Sequence, residues 1–433
     1  MTADTIFAPA SGAGTAAIAV LRVSGPGSHA IVVKLCHAVP TPRMASLRAL
    51  RDGAGELLDR AVVLWFPAPG SYTGEDSAEF HLHGGQAVLD GVAEALVAAG
   101  ARPAEPGEFT ERAFLNGRID LLEAEGIADL IAAETSAQRA QALRQMDGGL
   151  GGIYRQWADR LLLLLARQEA LIDFPDEDIP ASVAAHIEAE IAALAREMRA
   201  HLDDGARGER LRNGLVFAVI GPPNAGKSTL INALAGREVS IVSAQPGTTR
   251  DIIEARVILG GVPVTLLDTA GLREAAEAVE AEGVRRARAR ARSADFVIAL
   301  ADVTAAPLPP PELGDVPMLR VLNKADMLQE GVPLDCQAIS ALTGAGVDRL
   351  REDLDSIARR LTNASGPPAL TRARHRAAVG RALESIESAR IAPLAELRGE
   401  DLRLAVQSLG RLTGAVGVED VLDSVFRQFC IGK

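Results

Sequence analysis

The sequence predicts a multidomain protein of α/β plus α class. An N-terminal α/β domain precedes a discontinuous helical domain, into which a doubly wound α/β domain is inserted. Three observations carry this expectation. Strand-like and helix-like segments mix over residues 1–118 and alternate again from Leu215 onward. Between these sections, and again from about Thr371, the chain is rich in Ala, Leu, Glu, Arg and Gln at helical spacing. The length of 433 residues suits about three domains at ~150 residues each. Helical sequence on both sides of the second α/β section is most economically one domain interrupted by another, since insertion is tolerated where domain termini lie close together. This divides the chain into 1–118, 119–211, 212–368 and 369–433, with the second and fourth segments forming the helical domain. Two separate helical domains would give the same pattern.

In the first section, residues 16–23 and 61–66 are short apolar runs of strand type. Residues 77–83 alternate, placing Ala78, Phe80 and Leu82 on one face and Glu79, His81 and His83 on the other. Residues 88–99 read as a helix stopped by Gly100. Helical spacing then runs from 121 to 211, with breaks at Gly148 to Gly152 and Pro175 to Pro180. From Leu215, apolar runs at 215–220, 264–267, 296–301 and 318–322 alternate with helical stretches, the βα order of a doubly wound sheet. The pair Pro367-Pro368 closes that section.

Composition narrows the class. Apolar residues at 48% and charged residues at 24% exclude a collagen-like or wholly disordered chain. The longest aliphatic run, Leu161 to Leu165, is too short to span a bilayer, so no stable membrane insertion is expected. Met1 to Gly12 lacks a secretory signal pattern, and Cys36, Cys336 and Cys430 are too few and too scattered for a disulfide framework. The cytoplasm is the default expectation. A net charge of −12 argues against general coating of nucleic acid but permits a local basic patch or RNA shared with a partner. Only four lysines occur, Lys34, Lys227, Lys324 and Lys433, against 41 arginines. Genomic base composition accounts for the imbalance, and in such a background a surviving lysine is a candidate for a position where a guanidinium fork cannot replace a compact ammonium.

The strand at 215–220 runs into Gly221-Pro-Pro-Asn-Ala-Gly-Lys-Ser228, a P-loop with a strand before it and a helix expected from Thr229. Gly221 and Gly226 let the backbone curl so that successive N–H groups face phosphate oxygens. Lys227 reaches the β- and γ-phosphates, and the Ser228 hydroxyl ligates Mg²⁺. Pro246-Gly-Thr-Thr-Arg-Asp251 offers a threonine to complete the Mg²⁺ shell. Asp268-Thr-Ala-Gly271 closes a strand; its carboxylate supports Mg²⁺ through water, and the Gly271 N–H senses the γ-phosphate. Asn323-Lys-Ala-Asp326 closes another strand, and the Asp326 carboxylate can accept both guanine N1–H and N2–H. Lys324 lies along the base, and Ser340-Ala-Leu342 backs the guanine O6. In this order the segments are a guanine-nucleotide set, so GTP is the expected ligand. The contacts fall on Asn224, Ala225, Gly226, Lys227, Ser228 and Thr229, then on Ser243, Ala244, Gln245, Pro246, Gly247, Thr248 and Thr249. Asp268, Thr269, Ala270 and Gly271 follow, and Asn323, Lys324, Ala325, Asp326, Ser340, Ala341 and Leu342 complete them.

The hydrolytic residue is less direct. Regulatory GTPases commonly place a water-orienting glutamine after the Asp-x-x-Gly segment, but here that residue is Leu272. The acids Glu274, Glu277, Glu280 and Glu282 follow; one of them can polarise water, or all can be a solvated helix start where acids are favoured. The arginine run 285–292 alternates with alanine and reads as a solvated helix face.

The order of segments also resembles the MnmE (TrmE) family of tRNA-modification GTPases over essentially the whole chain. The resemblance rests on Asp4-Thr-Ile-Phe-Ala-Pro-Ala10, Leu21-Arg-Val-Ser-Gly25, Gly70-Ser-Tyr-Thr-Gly-Glu-Asp76, residues 79–85 and Pro106-Gly-Glu-Phe-Thr-Glu-Arg-Ala-Phe-Leu-Asn116. The medial GTPase core and the terminal Phe429-Cys-Ile-Gly-Lys433 complete it. The resemblance implies a homodimer formed by N-terminal domains that bind a 5-formyltetrahydrofolate-type folate. It also implies a partner, the FAD-containing MnmG (GidA), and addition of an aminomethyl or carboxymethylaminomethyl group to carbon 5 of the wobble uridine of certain tRNAs. It further implies GTP hydrolysis activated by K⁺, held by Asn224, Ser243, Gln245 and Thr248. Mg²⁺ would be held by Ser228 and Thr249, and Glu280 would be catalytic beside Asp268. Folate contacts carry over to Arg22, Glu79, Lys433 and Arg118, the last standing where the family pattern has lysine. Cys430 is a candidate functional thiol or a small buried hydrophobe. His81 and His83 read as a polar strand face, because zinc wants three or four ligands.

Two other readings compete. One is a ribosome-assembly or membrane-associated regulatory GTPase with an unrelated N-terminal domain. The other is a folate-dependent one-carbon enzyme that uses GTP for regulation.

Overall fold

The structure, a computed structural model, describes residues 4–12, 14–173, 181–204, 206–236, 254–268, 289–304, 313–328, 336–362 and 368–415, together with 422, 425–427, 429 and 432. The chain forms two compact units. One comprises Met1–Ala128, Gln145–Ile191 and Glu384–Lys433; the other comprises Asp129–Arg144 and Ala192–Leu383. Among the described residues no helix is long and apolar enough to cross a membrane.

The first unit opens with β1 (Thr5–Pro9), β2 (Ala16–Ser24), α1 (Ser28–Cys36), β3 (Ser46–Arg51), β4 (Leu57–Phe66), β5 (Ser77–Gly84), α2 (Gln86–Ala98), β6 (Ala101–Pro103) and α3 (Glu108–Leu115). The six strands form one sheet in the order β3-β4-β5-β2-β1-β6, parallel only at β1–β6. The alternation expected over 77–83 is realised: Ala78, Phe80 and Leu82 are buried, whereas Glu79 and His81 are half-buried and His83 is exposed. The buried face packs Leu21, Val23, Val63, Trp65 and Phe80 with Ile31, Val32 and Leu35 of α1 and Val92 and Leu96 of α2. The strand expected at 61–66 begins four residues earlier, at Leu57, because Leu57 to Asp59 continue the antiparallel pairing with β3.

Long helices follow: α4 (Leu121–Ala132), α5 (Ser136–Met146), α6 (Gly149–Asp173), α7 (Ala181–Leu202) and α8 (Arg207–Asn213). The break expected across Gly148 to Gly152 is shorter, since Gly149, Gly151 and Gly152 lie inside α6. Gly151 has a packing reason to be there, because a Cβ would stand 2.8 Å from Asp120 Oδ2. An unforeseen break separates α4 from α5. Thr135 and Gln138 close a capping box there: the Gln138 N–H donates to Thr135 Oγ1 at 3.2 Å, and the Thr135 N–H donates to Gln138 Oε1 at 3.3 Å.

The C-terminal segment returns to the first unit. Leu121 and Ala124 of α4 pack against Val425, Phe426 and Phe429. Gly107, which starts α3 with φ 77°, approaches so closely that a Cβ would stand 2.3 Å from the Phe426 carbonyl oxygen.

The second unit holds β7 (Leu215–Ile220), α9 (Lys227–Ala235), β8 (Glu254–Leu259), β9 (Val262–Asp268), β10 (Phe296–Asp302), β11 (Met318–Asn323), β12 (Gln337–Ala338) and α10 (Val347–Thr362). They precede α11 (Ala373–Ile391) and α12 (Ala395–Thr413). The sheet order is β12-β11-β10-β7-β9-β8, parallel except for β8 against β9. β7 is central, with Leu215, Phe217 and Val219 in one core and Ala218 in a second. That two-sided burial is why its sequence is a continuous apolar run. The parallel strands β11, β10, β7 and β9 are neighbours in that order, so their carboxyl ends share one edge of the sheet, and in open parallel sheets ligands bind outside those ends.

Candidate functional site

The turn leaving β7 needs glycine for steric reasons: a Cβ on Gly221 would stand 2.1 Å from the Leu300 carbonyl oxygen. Asn224 is exposed with φ 63°, a left-handed conformation that asparagine tolerates better than most residues. Gly226 has φ 91°, and a Cβ there would stand 2.2 Å from Asn323 Nδ2. The helix α9 starts at Lys227, two residues before the expected Thr229, so its free N–H groups begin inside the motif. Lys227 is buried, and its Nζ donates to the carbonyl oxygens of Gly221 and Pro222, each at 2.8 Å. Burial lowers its pKa, and Asp268 opposes that effect. The ammonium is thus held in the bowl of the loop by backbone oxygens. The Ser228 Oγ donates to Asp268 Oδ2 at 2.6 Å. Two hard oxygen donors, one from the first turn of α9 and one from the end of β9, therefore converge, the chemistry a Mg²⁺ ion selects.

The base-recognition segments meet the P-loop through one side chain. Asn323 is buried; its Nδ2 donates to the Ala225 carbonyl at 2.8 Å, and its Oδ1 accepts from the Ala341 N–H at 2.9 Å. This amide ties the P-loop, the end of β11 and the 340–342 segment together. The Ala325 N–H donates to the Ile339 carbonyl at 2.9 Å, and Ala325 to Met327 form a short 3₁₀ turn that presents Asp326 at the surface. Ser340 is buried, accepting from the Thr343 N–H at 3.2 Å, whereas Leu342 is exposed. Thr229 is exposed at the start of α9.

Several expected site residues lie outside the described residues: Ser243, Ala244, Gln245, Pro246, Gly247, Thr248, Thr249, Thr269, Ala270, Gly271, Glu280, Cys430 and Lys433. Within the arginine run, Arg292 is exposed while Ala291 is buried in the core, as an alternating helix face requires.

The N-terminal sheet gathers a second set. Arg22 of β2 and Glu79 of β5 are cross-strand partners in register. The Arg22 Nε and Nη2 both donate to Glu79 Oε1, at 3.1 and 2.9 Å. The guanidinium also lies over two rings, 5.6 Å from the centroid of Tyr72 and 5.8 Å from that of Phe109. The Tyr72 hydroxyl shares a 2.9 Å hydrogen bond with Thr110 Oγ1. Arg118 is exposed, with its methylenes about the loop glycine Gly74. The arginine–glutamate pair offers charged partners to a heterocycle with polar edges, with the half-buried Tyr72 beside it, whereas Phe109 is fully buried and only supports the guanidinium. His83 pairs with Asp59 at 2.7 Å and His81 with Glu79 at 3.4 Å, in keeping with a polar strand face.

Sequence reasoning missed Tyr72 and Phe109, although both lie in segments that carry the resemblance. It also missed an ion network centred on the buried Arg112 and Glu108. Arg112, whose side chain is 6% exposed, donates to Asp4, Glu75 and Glu108, and Arg102 grips Glu108 with both terminal nitrogens. Arg102 holds Asp4 below the usual carboxylate range, with help from Arg112 and against burial. Burial pushes Glu108 up, but Arg102, the Glu105 N–H and Arg112 together bring it below that range. Both groups bind protons more weakly folded than unfolded. Their stabilising contribution is therefore fully present above about pH 5 and is lost progressively as pH falls from the ordinary carboxylate value of about 4 through the lower folded-state values. The urea midpoint is expected to drop between about pH 5 and 3, and Arg102→Met to flatten that drop. An unchanged slope in Arg102→Met would place the acid sensitivity elsewhere.

Comparison with known proteins agrees with this arrangement. The family model described as "GTP-binding protein TrmE N-terminus" matches residues 5–118, and "MnmE helical domain" matches 121–430. The chain is 59% identical to a tRNA modification GTPase MnmE of Gluconacetobacter diazotrophicus, over 99% of this chain and 98% of that protein. Proteins of the same name from Granulibacter bethesdensis and Methylorubrum populi are each 54% identical, covering 100% and 99% of this chain and 100% and 98% of their own lengths. Matches of this extent, over the sheet that pairs Arg22 with Glu79 and the loops that Asn323 joins, show that the chain belongs to the MnmE (TrmE) family.

Proposed function

We propose that this chain hydrolyses GTP in tRNA modification, and that with MnmG (GidA) it adds a carboxymethylaminomethyl or aminomethyl group to carbon 5 of the wobble uridine. The observation that carries the reading is the assembly at the carboxyl ends of β7, β9 and β11. There Lys227, the Ser228–Asp268 pair and the Asn323 amide meet in one loop cluster. Asp326 recognises the guanine edge, with Ser340, Ala341 and Leu342 behind the base. Ser228 and Thr249 would hold Mg²⁺, with Asp268 behind Ser228, and the ion would supply charge neutralisation on the β- and γ-phosphates. Glu280 positions the attacking water. Asn224, Ser243, Gln245 and Thr248 would hold K⁺ near the transferring phosphate. Leu272 cannot orient water, which favours a cation and a second G domain as the missing activators. Hydrolysis per site is expected to rise with K⁺ over Na⁺ and with protein concentration. A rate indifferent to both would remove the dimer-dependent, cation-activated mechanism.

The N-terminal domains pair two copies of the chain and hold a 5-formyltetrahydrofolate-type folate through Arg22, Glu79, Arg118 and Lys433, with Cys430 as a candidate functional thiol. The support is the Arg22–Glu79 pair flanked by Tyr72 and Phe109. The domain division 1–118, 119–211, 212–368 and 369–433 belongs to the same proposal, as does a cytoplasmic location. The decisive experiment is mass spectrometry of tRNA nucleosides from cells lacking this protein. Loss of the modified wobble uridines, restored by the wild-type chain but not by Asp268→Ala, is expected. Unchanged wobble uridines, in an organism shown to make them, would favour the ribosome-assembly or membrane-associated regulatory GTPase instead.

A further inference from the structure

We infer that Asp302 is a positioning residue for the guanine base, acting through Lys324. The inference rests on the guanine-nucleotide reading of this site and deepens it. Asp302 is the last residue of β10 and stands in register with Asn323 at the end of β11. Lys324 follows in a left-handed conformation, φ 66°, and its Nζ donates to Asp302 Oδ2. The other carboxylate oxygen, Oδ1, accepts from the Thr304 N–H at 2.9 Å and from Thr304 Oγ1 at 2.8 Å. The Val303 N–H donates to the Asn323 carbonyl at 3.1 Å, so the two strand ends are also joined through the backbone.

Each oxygen of Asp302 therefore has a separate task. One is fixed by Thr304, and the other fixes the ammonium. A lysine stem has four rotatable bonds and loses rotamer entropy when it must lie flat on a ligand. Anchoring its far end to a carboxylate that cannot rotate removes that cost before the ligand arrives. The pair also neutralises the ammonium, leaving the methylenes as an apolar strip for the face of the base. Lys324 holds Asp302 below the usual carboxylate range, so the pair persists at any pH near neutral. Asp302 is outside the five recognised motif segments, which is why no local pattern reveals it.

The test is the dissociation rate of N-methylanthraniloyl-GDP from the full-length chain in the wild type, Asp302→Asn, Lys324→Ala and the double variant. Asp302→Asn is expected to speed release about tenfold, and to add less than about twofold in the Lys324→Ala background. Competition by inorganic triphosphate, which has no base, should be unchanged in Asp302→Asn. A role confined to fold stability would weaken triphosphate binding as well. Asp302→Ser, which keeps a hydroxyl near Thr304, repeats the measurement should the Asn variant fold poorly. Release within about twofold of wild type, or the same acceleration in both backgrounds, overturns the inference. Failure of the wild-type chain to bind any guanine nucleotide would instead overturn the nucleotide reading, a separate and distinguishable result.

Discussion

Lys227→Ala is expected to weaken GTP binding by about 10²–10⁴-fold while leaving the nucleotide-free protein folded. The magnitude follows from charge-assisted hydrogen bonds to phosphate oxygens, each contributing about 1.5–3 kcal/mol; a lysine spanning the β- and γ-phosphates makes two. The fold survives because, among the described residues, Nζ donates to the Gly221 and Pro222 carbonyls, which belong to an exposed and a half-buried residue that water can reach. Lys227→Arg is expected to lose nearly as much. The ammonium occupies a buried bowl, and a planar guanidinium cannot enter it without displacing the loop. The same argument explains why lysine persists here in a chain with 41 arginines. Fluorescent-GDP titration beside thermal unfolding of the nucleotide-free chains measures both parts. A tight-binding Lys227→Arg variant would show that charge alone, not the shape of the donor, sets the requirement.

The P-loop was legible because its information is local. A strand, a curled backbone and a helix start occupy one contiguous stretch, and glycine at two positions states where the chain must bend. The alternating faces of β5 were legible for the same reason, since a period of two shows in eight residues. The bridging amide of Asn323 was not legible. It joins Ala225, 98 residues away, to Ala341, 18 residues away, and only the parallel sheet order brings those backbones together. Arg22 and Glu79 show an intermediate case. The family resemblance named both residues, but their pairing depends on the register of two strands separated by β3 and β4 in sequence. Tyr72 and Phe109 completed that site through packing, which residue spacing does not encode.

Asp326→Asn is expected to exchange the preferred base rather than merely weaken binding. The carboxylate accepts from both guanine N1–H and N2–H. An asparagine presents one acceptor and one N–H donor, so its N–H meets the guanine 2-amino group donor to donor, and a polar pair is left unsatisfied. Xanthine carries a carbonyl oxygen where guanine carries that amine and keeps its N1–H, so it matches the asparagine at both points. GTP affinity should fall by about 10²–10⁴-fold, as the loss of two charge-assisted hydrogen bonds at about 1.5–3 kcal/mol each would give, and xanthosine triphosphate should become the better ligand. Asp326 is exposed on its short 3₁₀ turn, so the substitution leaves the core untouched and the comparison is between two ligands on one fold. Hydrolysis should follow binding: the Lys227 and Ser228–Asp268 geometry is built on different strand ends, so saturating xanthosine triphosphate should restore much of the wild-type turnover. Competition between the two triphosphates, followed by turnover at saturation, measures both steps. Equal loss of the two nucleotides would mean that Asp326 shapes the loop and does not read the base.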